Sequence, residues 1–344
     1  MWRFDSNYHY IVPEFSEETD FKLNYNKPLN EYKEAKSAGI TTRPVIIGPI
    51  SFLILGKKSS SAQPDFSPIS LLPKLLPVYQ QLLWELKVEG VESVQIDEPI
   101  LVLDSAMALE KEFSQTYNQL GLGSLNIMLA TYFARLGSSI RFIAQLPIYG
   151  LHIDLDRALD QFDQVIDAVK NTDLVLSLGL VSGRNVWKTD LEAVVKLGRK
   201  AIAILGENRV MVSTSSSLMH IPVTLDSETK LTKQERDWFS FAVEKVREVA
   251  IVGWVLSGLQ DDGVVEAMEA NRKAVAMRRE FEKRNENYQV GQRVREIVPE
   301  MMNRKSRFSH RKEVQKVNLG LPKFPTTTLG SYPVRHPFVY ICKF

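Results

Sequence analysis

Short apolar or β-branched runs recur along the chain, and each ends in a small polar cluster before a stretch with helical spacing begins. That alternation is the pattern of βαβ units. Runs at residues 4–10, 44–50, 91–96, 125–131, 149–154, 174–180 and 209–213 predict seven strands. Between and after them, residues 71–88, 106–120, 155–170, 188–205 and 233–256 read as helices. In the first of these helices Leu72, Leu75, Leu76, Tyr79, Leu82 and Leu83 recur every three or four positions, giving one apolar face to lay on a sheet. The strand runs are nearly all apolar, as in a parallel sheet covered on both faces. The order predicts an α/β fold of the (β/α)8 TIM-barrel type, lacking its first strand or strands.

Beyond Gly258 the pattern changes to a long, charged, helix-prone segment that stops at Leu319-Gly320-Leu321-Pro322. A fresh apolar signal, Phe324-Pro325-Thr326-Thr327-Thr328-Leu329-Gly330-Ser331-Tyr332-Pro333, then reads as the first strand of another domain. The predicted organisation is a barrel at 1–257, a helical extension and linker at 258–322, and the start of a second barrel with an aberrant tail at 323–344.

Composition narrows the function classes. With 44% hydrophobic and 24% charged residues in 344, the chain belongs with globular proteins rather than disordered ones. The longest apolar stretches fall well short of the roughly 20 residues a membrane-spanning helix needs, and the first residues carry neither a signal core nor an Arg-rich transit helix. A cytoplasmic protein without membrane contact is expected. The single cysteine, Cys342, excludes an internal disulfide framework and any two-cysteine metal site. A formal charge of +2 argues against a nucleic-acid partner, and the Arg and Lys of residues 271–316 read as a solvated helical face.

Candidate chemistry gathers at strand ends. Val94-Gln95-Ile96-Asp97-Glu98-Pro99 carries adjacent acids at the carboxyl end of a strand, where barrel sites are built. Asp97 and Glu98 suit binding a cation or amine, or acid–base work; equally, Asp97 caps a turn. Asn7 and His9 stand at another strand end beside Tyr8 and Tyr10, suited to a flat heterocycle or to a packed barrel mouth, and Gly48-Pro49 reads as a tight turn. His152 and Asp154 share one side of a strand. Arg184 and Asn185 follow the next strand, and Arg184 has the geometry to grip a carboxylate or phosphate, or else only to start a helix. Residues 213–220 bring hydroxyls and His220 together without the G-x-S-x-G turn of a serine nucleophile. The histidines are isolated from one another, so no zinc site is predicted, and no phosphate-binding or dinucleotide loop is present.

Taken together, residues 4–14, Gln95 to Pro99, Thr131-Tyr132-Phe133, Gly183-Arg184-Asn185-Val186-Trp187 and residues 324–333 resemble the cobalamin-independent methionine synthases in order and approximate spacing. The resemblance implies two duplicated barrels, of which this chain is similar to the N-terminal one. It also implies transfer of a methyl group from a polyglutamylated 5-methyltetrahydrofolate to homocysteine, without cobalamin, by a monomeric enzyme. The family's zinc, held by His, two Cys and a Glu, sits in the C-terminal barrel, so neither a catalytic residue nor a metal ligand is expected here. By the same resemblance Leu329, Gly330 and Ser331 correspond to the turn that meets homocysteine, and Asp97 and Glu98 read as a relic of duplication that supports the barrel mouth; with Asn7, His9, Tyr132, Asp154, Arg184 and Asn185 they are the candidate polar residues of that mouth. The upstream segment usual in the family is missing and the pattern stops after Pro333, so the chain reads as truncated at both ends and inactive alone. Two other readings stay open: a stand-alone folate-binding or regulatory barrel, and a zinc-free barrel enzyme of the uroporphyrinogen decarboxylase type using Asp97, Tyr132 and Arg184.

Overall fold

The computed structural model describes residues 11–121, 125–259 and 261–326. In chain order its first elements are β1 (Glu14–Phe15), α1 (Lys27–Ser37), β2 (Val45–Ile47), α2 (Pro49–Leu55), β3 (Lys57–Lys58), α3 (Leu72–Val88), β4 (Ser93–Asp97), α4 (Glu110–Leu120) and β5 (Asn126–Ala130). There follow α5 (Ile140–Ile143), β6 (Gly150–Asp154), α6 (Phe162–Val169), β7 (Val175–Val181), α7 (Leu191–Leu205), β8 (Val210–Thr214), α8 (Lys233–Trp238), α9 (Ala242–Leu256), α10 (Asp262–Arg284), α11 (Tyr288–Arg295) and α12 (Phe308–Leu319). The chain divides into two compact units, one running to Phe281 and one from Glu282.

In the first unit β2, β4, β5, β6, β7 and β8 form one sheet in that order, every pairing parallel. Sequential parallel strands with helices between them are the βαβ arrangement expected, and six of the seven predicted strands stand within a few residues of their predicted bounds. The seventh, residues 4–10, lies outside the described residues. Among the described residues β2 and β8 each pair on one side only, so these six strands do not themselves close a barrel.

The strands alternate, which the apolar look of the runs had hidden. Val94, Ile96, Ile127, Leu129, Leu151, Ile153, Leu176 and Leu178 are buried in the hydrophobic core with residues of the covering helices. The positions between them carry Gln95, Asp97, Met128, His152 and Ser177, and these line a cavity. With a side-chain period of two, the aliphatic set therefore packs on the helices and the polar set points to the concave side.

Helix bounds differ from expectation where side chains compete for the backbone. The predicted helix at 155–170 starts only at Phe162, because the Asp154 carboxylate accepts from the N–H groups of Asp156 and Arg157 and holds the first residues in a loop. The one predicted at 233–256 is two, α8 and α9, interrupted where Ser240 N–H donates to Val186 O and Lys188 N–H to Trp238 O. Gly48-Pro49 is the start of α2 rather than a tight turn: Gly48 is its N-cap and Pro49 its first residue. The charged stretch after Gly258 forms three helices, and α10 is packed, burying Val264, Asn271, Ala274 and Val275. In the second unit, by contrast, neither α11 nor α12 buries a residue.

Candidate functional site

The concave side of the sheet encloses a cavity of about 710 Å³, a size in the range of small-molecule clefts, roughly 300–1,000 Å³. Gln95 and Asp97 enter it from β4, Met128 from β5, His152 from β6, Ser177 from β7 and Ser213 from β8, while Val45 and Ile47 of β2 and His220 beyond β8 complete the wall. All the strands are parallel, so their carboxyl ends, with the loops that carry chemistry, open to one side.

Asp97 ends β4. Its carboxylate accepts from Gln95 Nε2 at 2.8 Å and from the Tyr132 hydroxyl at 3.2 Å. Asp97 and Tyr132 are thus brought together on the cavity wall. His152 lies deeper. Its Nε2 faces the Ser215 carbonyl oxygen at 3.3 Å and its Nδ1 the Ser177 hydroxyl at 2.9 Å. A carbonyl oxygen only accepts, so Nε2 carries the proton and Nδ1 accepts from Ser177. Burial drives the His152 pKa down to about 4, which keeps the ring neutral at physiological pH.

Glu98, one residue after Asp97, does not line the cavity. It is wholly buried, and its carboxylate accepts from Ser51 N–H at 2.8 Å, Ile50 N–H at 3.3 Å and the Tyr117 hydroxyl at 3.3 Å. It therefore caps the first turn of α2 from the neighbouring strand. Gly48 makes the room: a Cβ there would stand 2.1 Å from Glu98 Cδ. Burial raises the Glu98 pKa to about 7, against the opposing hydrogen bonds from Ser51, Ile50 and Tyr117.

Asp154 is also buried and acts on the backbone. Besides Asp156 and Arg157 it accepts from Phe133 N–H at 2.9 Å, and desolvation pushes its pKa up. Among the described residues Phe133 is the one non-glycine residue with positive φ, at 76°, a strained conformation for an aromatic residue. Asp154 therefore helps fix a strained aromatic at the mouth. The Phe133 ring meets Tyr132 edge-on at 4.7 Å and His220 at 5.6 Å, and the Arg184 guanidinium stands 5.3 Å from its centroid. Asn185 turns its own loop by accepting from Trp187 N–H at 3.0 Å. Asn7, His9, Leu329, Gly330 and Ser331 lie outside the described residues.

The loop from Gly183 to Asp190 is braced by residues that the sequence pattern did not single out. Lys245 Nζ donates to Trp187 O at 2.9 Å, Glu248 accepts from Thr189 N–H, and Asn271 both donates to Thr189 O and accepts from Leu191 N–H. The Trp187 ring stacks on Phe239 at 5.0 Å with the Arg278 guanidinium 5.3 Å from its centroid. Burial lowers the Lys245 pKa and raises that of Glu248, each opposed by the charge of the other. The available signal was positional: Lys245 and Glu248 share their helical face with Val252, at the i, i+3, i+7 spacing normally filled by apolar residues.

Comparisons with known proteins set this geometry in context. A family model described as the cobalamin-independent synthase N-terminal domain matches residues 1–205. A 5-methyltetrahydropteroyltriglutamate–homocysteine methyltransferase of Candida albicans is 45% identical over 334 residues, covering 96% of this chain and 43% of that protein. The Saccharomyces cerevisiae protein of the same name is 45% identical over 332 residues, covering 96% of this chain and 42% of its own length. The chain thus spans about two fifths of the length of these relatives. In fold it is similar to the B12-independent methionine synthase from Shewanella sp. W3-18-1 in complex with selenomethionine, with a TM-score of 0.50 and 11% identity over 67% of this chain and 66% of that one.

Proposed function

This chain belongs to the cobalamin-independent methionine synthase family, and from that premise we propose that it supplies the folate-side barrel for transfer of a methyl group from 5-methyltetrahydropteroyltriglutamate to homocysteine. The observation that carries this reading is the match of residues 1–205 to the family's N-terminal domain, continued at 45% identity over 334 residues in the Candida albicans methyltransferase. In this reading the protein works in the cytoplasm on small molecules, without nucleic acid or membrane. Among the described residues no helix is long and apolar enough to cross a membrane.

Zinc is the metal the family implies, serving to bind homocysteine as a thiolate. The donor set here does not fit it. No group of three or more His, Cys, Asp or Glu side chains among the described residues is arranged to hold a metal, and both ring nitrogens of His152 are engaged. In this reading the reactive centre belongs to a second barrel. This barrel's own residues hold shape: Asp154 fixes Phe133, Lys245 and Asn271 fix the Arg184 loop, and Glu98 fixes α2.

Methionine formation tests the proposal. With homocysteine, zinc and methyltetrahydrofolate triglutamate, the purified chain is expected to make no methionine alone and to do so once the remaining part of the Candida albicans relative is supplied. Methionine formed in proportion to this chain alone overturns it. A stand-alone folate-binding barrel is the second reading, favoured by the 710 Å³ cavity, whose largely apolar wall carries Gln95, Asp97 and His152. Calorimetric titration with folate triglutamate separates the two: binding of about micromolar strength without any partner supports the second reading.

A further inference from the structure

Two orphaned polar groups lie behind the loop that carries Arg184. Glu248 Oε2 and the Ser240 hydroxyl are buried and make no hydrogen bond among the described residues, although Ser240 stands near enough to steady the Glu248 charge. The other oxygen of Glu248 accepts from Thr189 N–H, and the neighbouring Lys245 directs its Nζ to Trp187 O. Glu248 is only 6% exposed. Half of a buried carboxylate is therefore left without a donor, which costs folding free energy unless something else supplies one.

Glu248 also lines a cavity of about 340 Å³ walled by residues of α7, α8, α9 and α10, far larger than the roughly 30 Å³ share of one water. It shares no lining residue with the 710 Å³ cavity of the sheet. Leu191, Leu225, Phe239 and Ile251 supply an apolar wall, and the lining holds four acids, Asp226, Asp237, Glu244 and Glu248, against three bases, Lys188, Arg236 and Arg247. A simple anion is disfavoured by that balance, and a purely apolar ligand leaves Glu248 without its donor. Arg236 faces Asp226 at 3.9 Å, whereas Lys188 and Arg247 make no ion pair among the described residues. The cavity thus offers a buried acceptor, unpaired cations and an apolar wall together.

We propose that this cavity binds a free α-amino acid with an apolar side chain, its ammonium donating to Glu248 Oε2 and its carboxylate meeting Arg247 and Lys188. Glu248 and Arg247 are adjacent on α9, one buried and one exposed, so the ammonium lies deep and the carboxylate at the rim. The bound ligand rests against the residues that brace the loop from Gly183 to Asp190, and Arg184 of that loop stands over the Phe133 ring. Occupancy therefore stiffens the loop. The site is independent of the methyl-transfer reading and stands whether or not that reading does.

Calorimetric titration of the 344-residue chain with L-leucine tests it. One-to-one binding with a Kd of about 0.1–1 mM is expected. N-acetyl-L-leucine, which lacks the ammonium, and L-leucinamide, which lacks the carboxylate, should each bind at least about tenfold more weakly. Glu248→Gln keeps an acceptor for Thr189 N–H and removes the charge, while Ala267→Phe fills the cavity from α10; each should lower the affinity at least about tenfold. Amides of residues 183–190 should exchange about threefold more slowly with L-leucine bound. No heat up to about 10 mM L-leucine overturns the proposal and leaves the cavity to water. Equal binding of N-acetyl-L-leucine or L-leucinamide also overturns it, because one charge of the zwitterion then has no partner in the site. Binding undiminished in both variants does so too, by placing the ligand elsewhere. Unchanged exchange in the loop with L-leucine bound overturns the stiffening alone.

Discussion

The barrel unit and the arm that follows it use the same kind of helix to different ends. α7 is amphipathic, and its Leu191, Val195, Ala201 and Leu205 are all buried. α11 is amphipathic too, yet nothing on it is buried. Periodicity in sequence reports only that a helix has an apolar face, and whether that face is covered depends on what the rest of the chain brings to it. In the barrel unit the cover is a sheet whose outward positions are aliphatic. In the arm no described residue buries that face.

The widest separation between the two regions should appear in core truncation. Leu129 is fully buried on β5, so Leu129→Ala is expected to cost about 2–5 kcal/mol, from lost burial plus the cavity left behind. Val294→Ala in the arm should stay within about 0.5 kcal/mol, since little of the side chain leaves water on folding. Urea denaturation of both variants measures this. A loss of more than about 2 kcal/mol from Val294→Ala would show that the arm is packed in solution and would erase the contrast.

A smaller effect, confined to the first unit because α11 and α12 bury no polar group, appears through pH. The folded-state pKa of Glu98 is raised to about 7, so between the unfolded value and about 7 the folded chain holds a proton that the unfolded chain releases. Its contribution to stability is therefore full below the unfolded pKa and lost as pH rises through about 7, by up to about 3 kcal/mol. His152, lowered to about 4, works in the opposite sense: its contribution is present above its unfolded pKa and lost as pH falls towards 4. Glu98→Gln isolates the first of these. The stability of the parent relative to this variant should fall between pH 5 and pH 8, and a flat difference would mean that Glu98 ionises normally in a wetter site.

What the sequence made legible follows the range of the interactions involved. Strands were found within a few residues because their apolar content and flanking polar clusters are local, and α7 begins where Asp190 accepts from Ala193 N–H, three residues after the predicted start. The break between α8 and α9 was not legible, because the carbonyl that draws Ser240 N–H out of a helix belongs to Val186, far away in sequence. In the site, Asp97 and Glu98 read as a pair, yet one faces the cavity and the other caps α2, as alternation along a strand requires. Lys245 and Asn271 were not singled out as site residues because polar side chains on a helix normally face solvent; the loop backbone they serve explains their burial.

The finest distinction concerns charge pairs. Arg295 in the arm approaches Glu286 at 4.0 Å, with side chains 62% and 55% exposed, and its guanidinium stands 5.9 Å from the Tyr288 ring centroid. In water such a pair gains little Coulomb energy and gives up side-chain freedom to hold one geometry, so Arg295→Ala should change stability by less than about 0.5 kcal/mol. Lys245 offers the opposite case. It is buried, and removing it leaves Glu248 and the Trp187 carbonyl without their cation, so Lys245→Ala is expected to cost several times more, on the order of 3 kcal/mol. Repeating both measurements in 1 M salt separates the causes, because screening weakens a solvent-exposed pair and scarcely reaches a buried one. If salt removes the Lys245 effect as well, the loop brace is open to solvent and the barrel unit is held by packing alone.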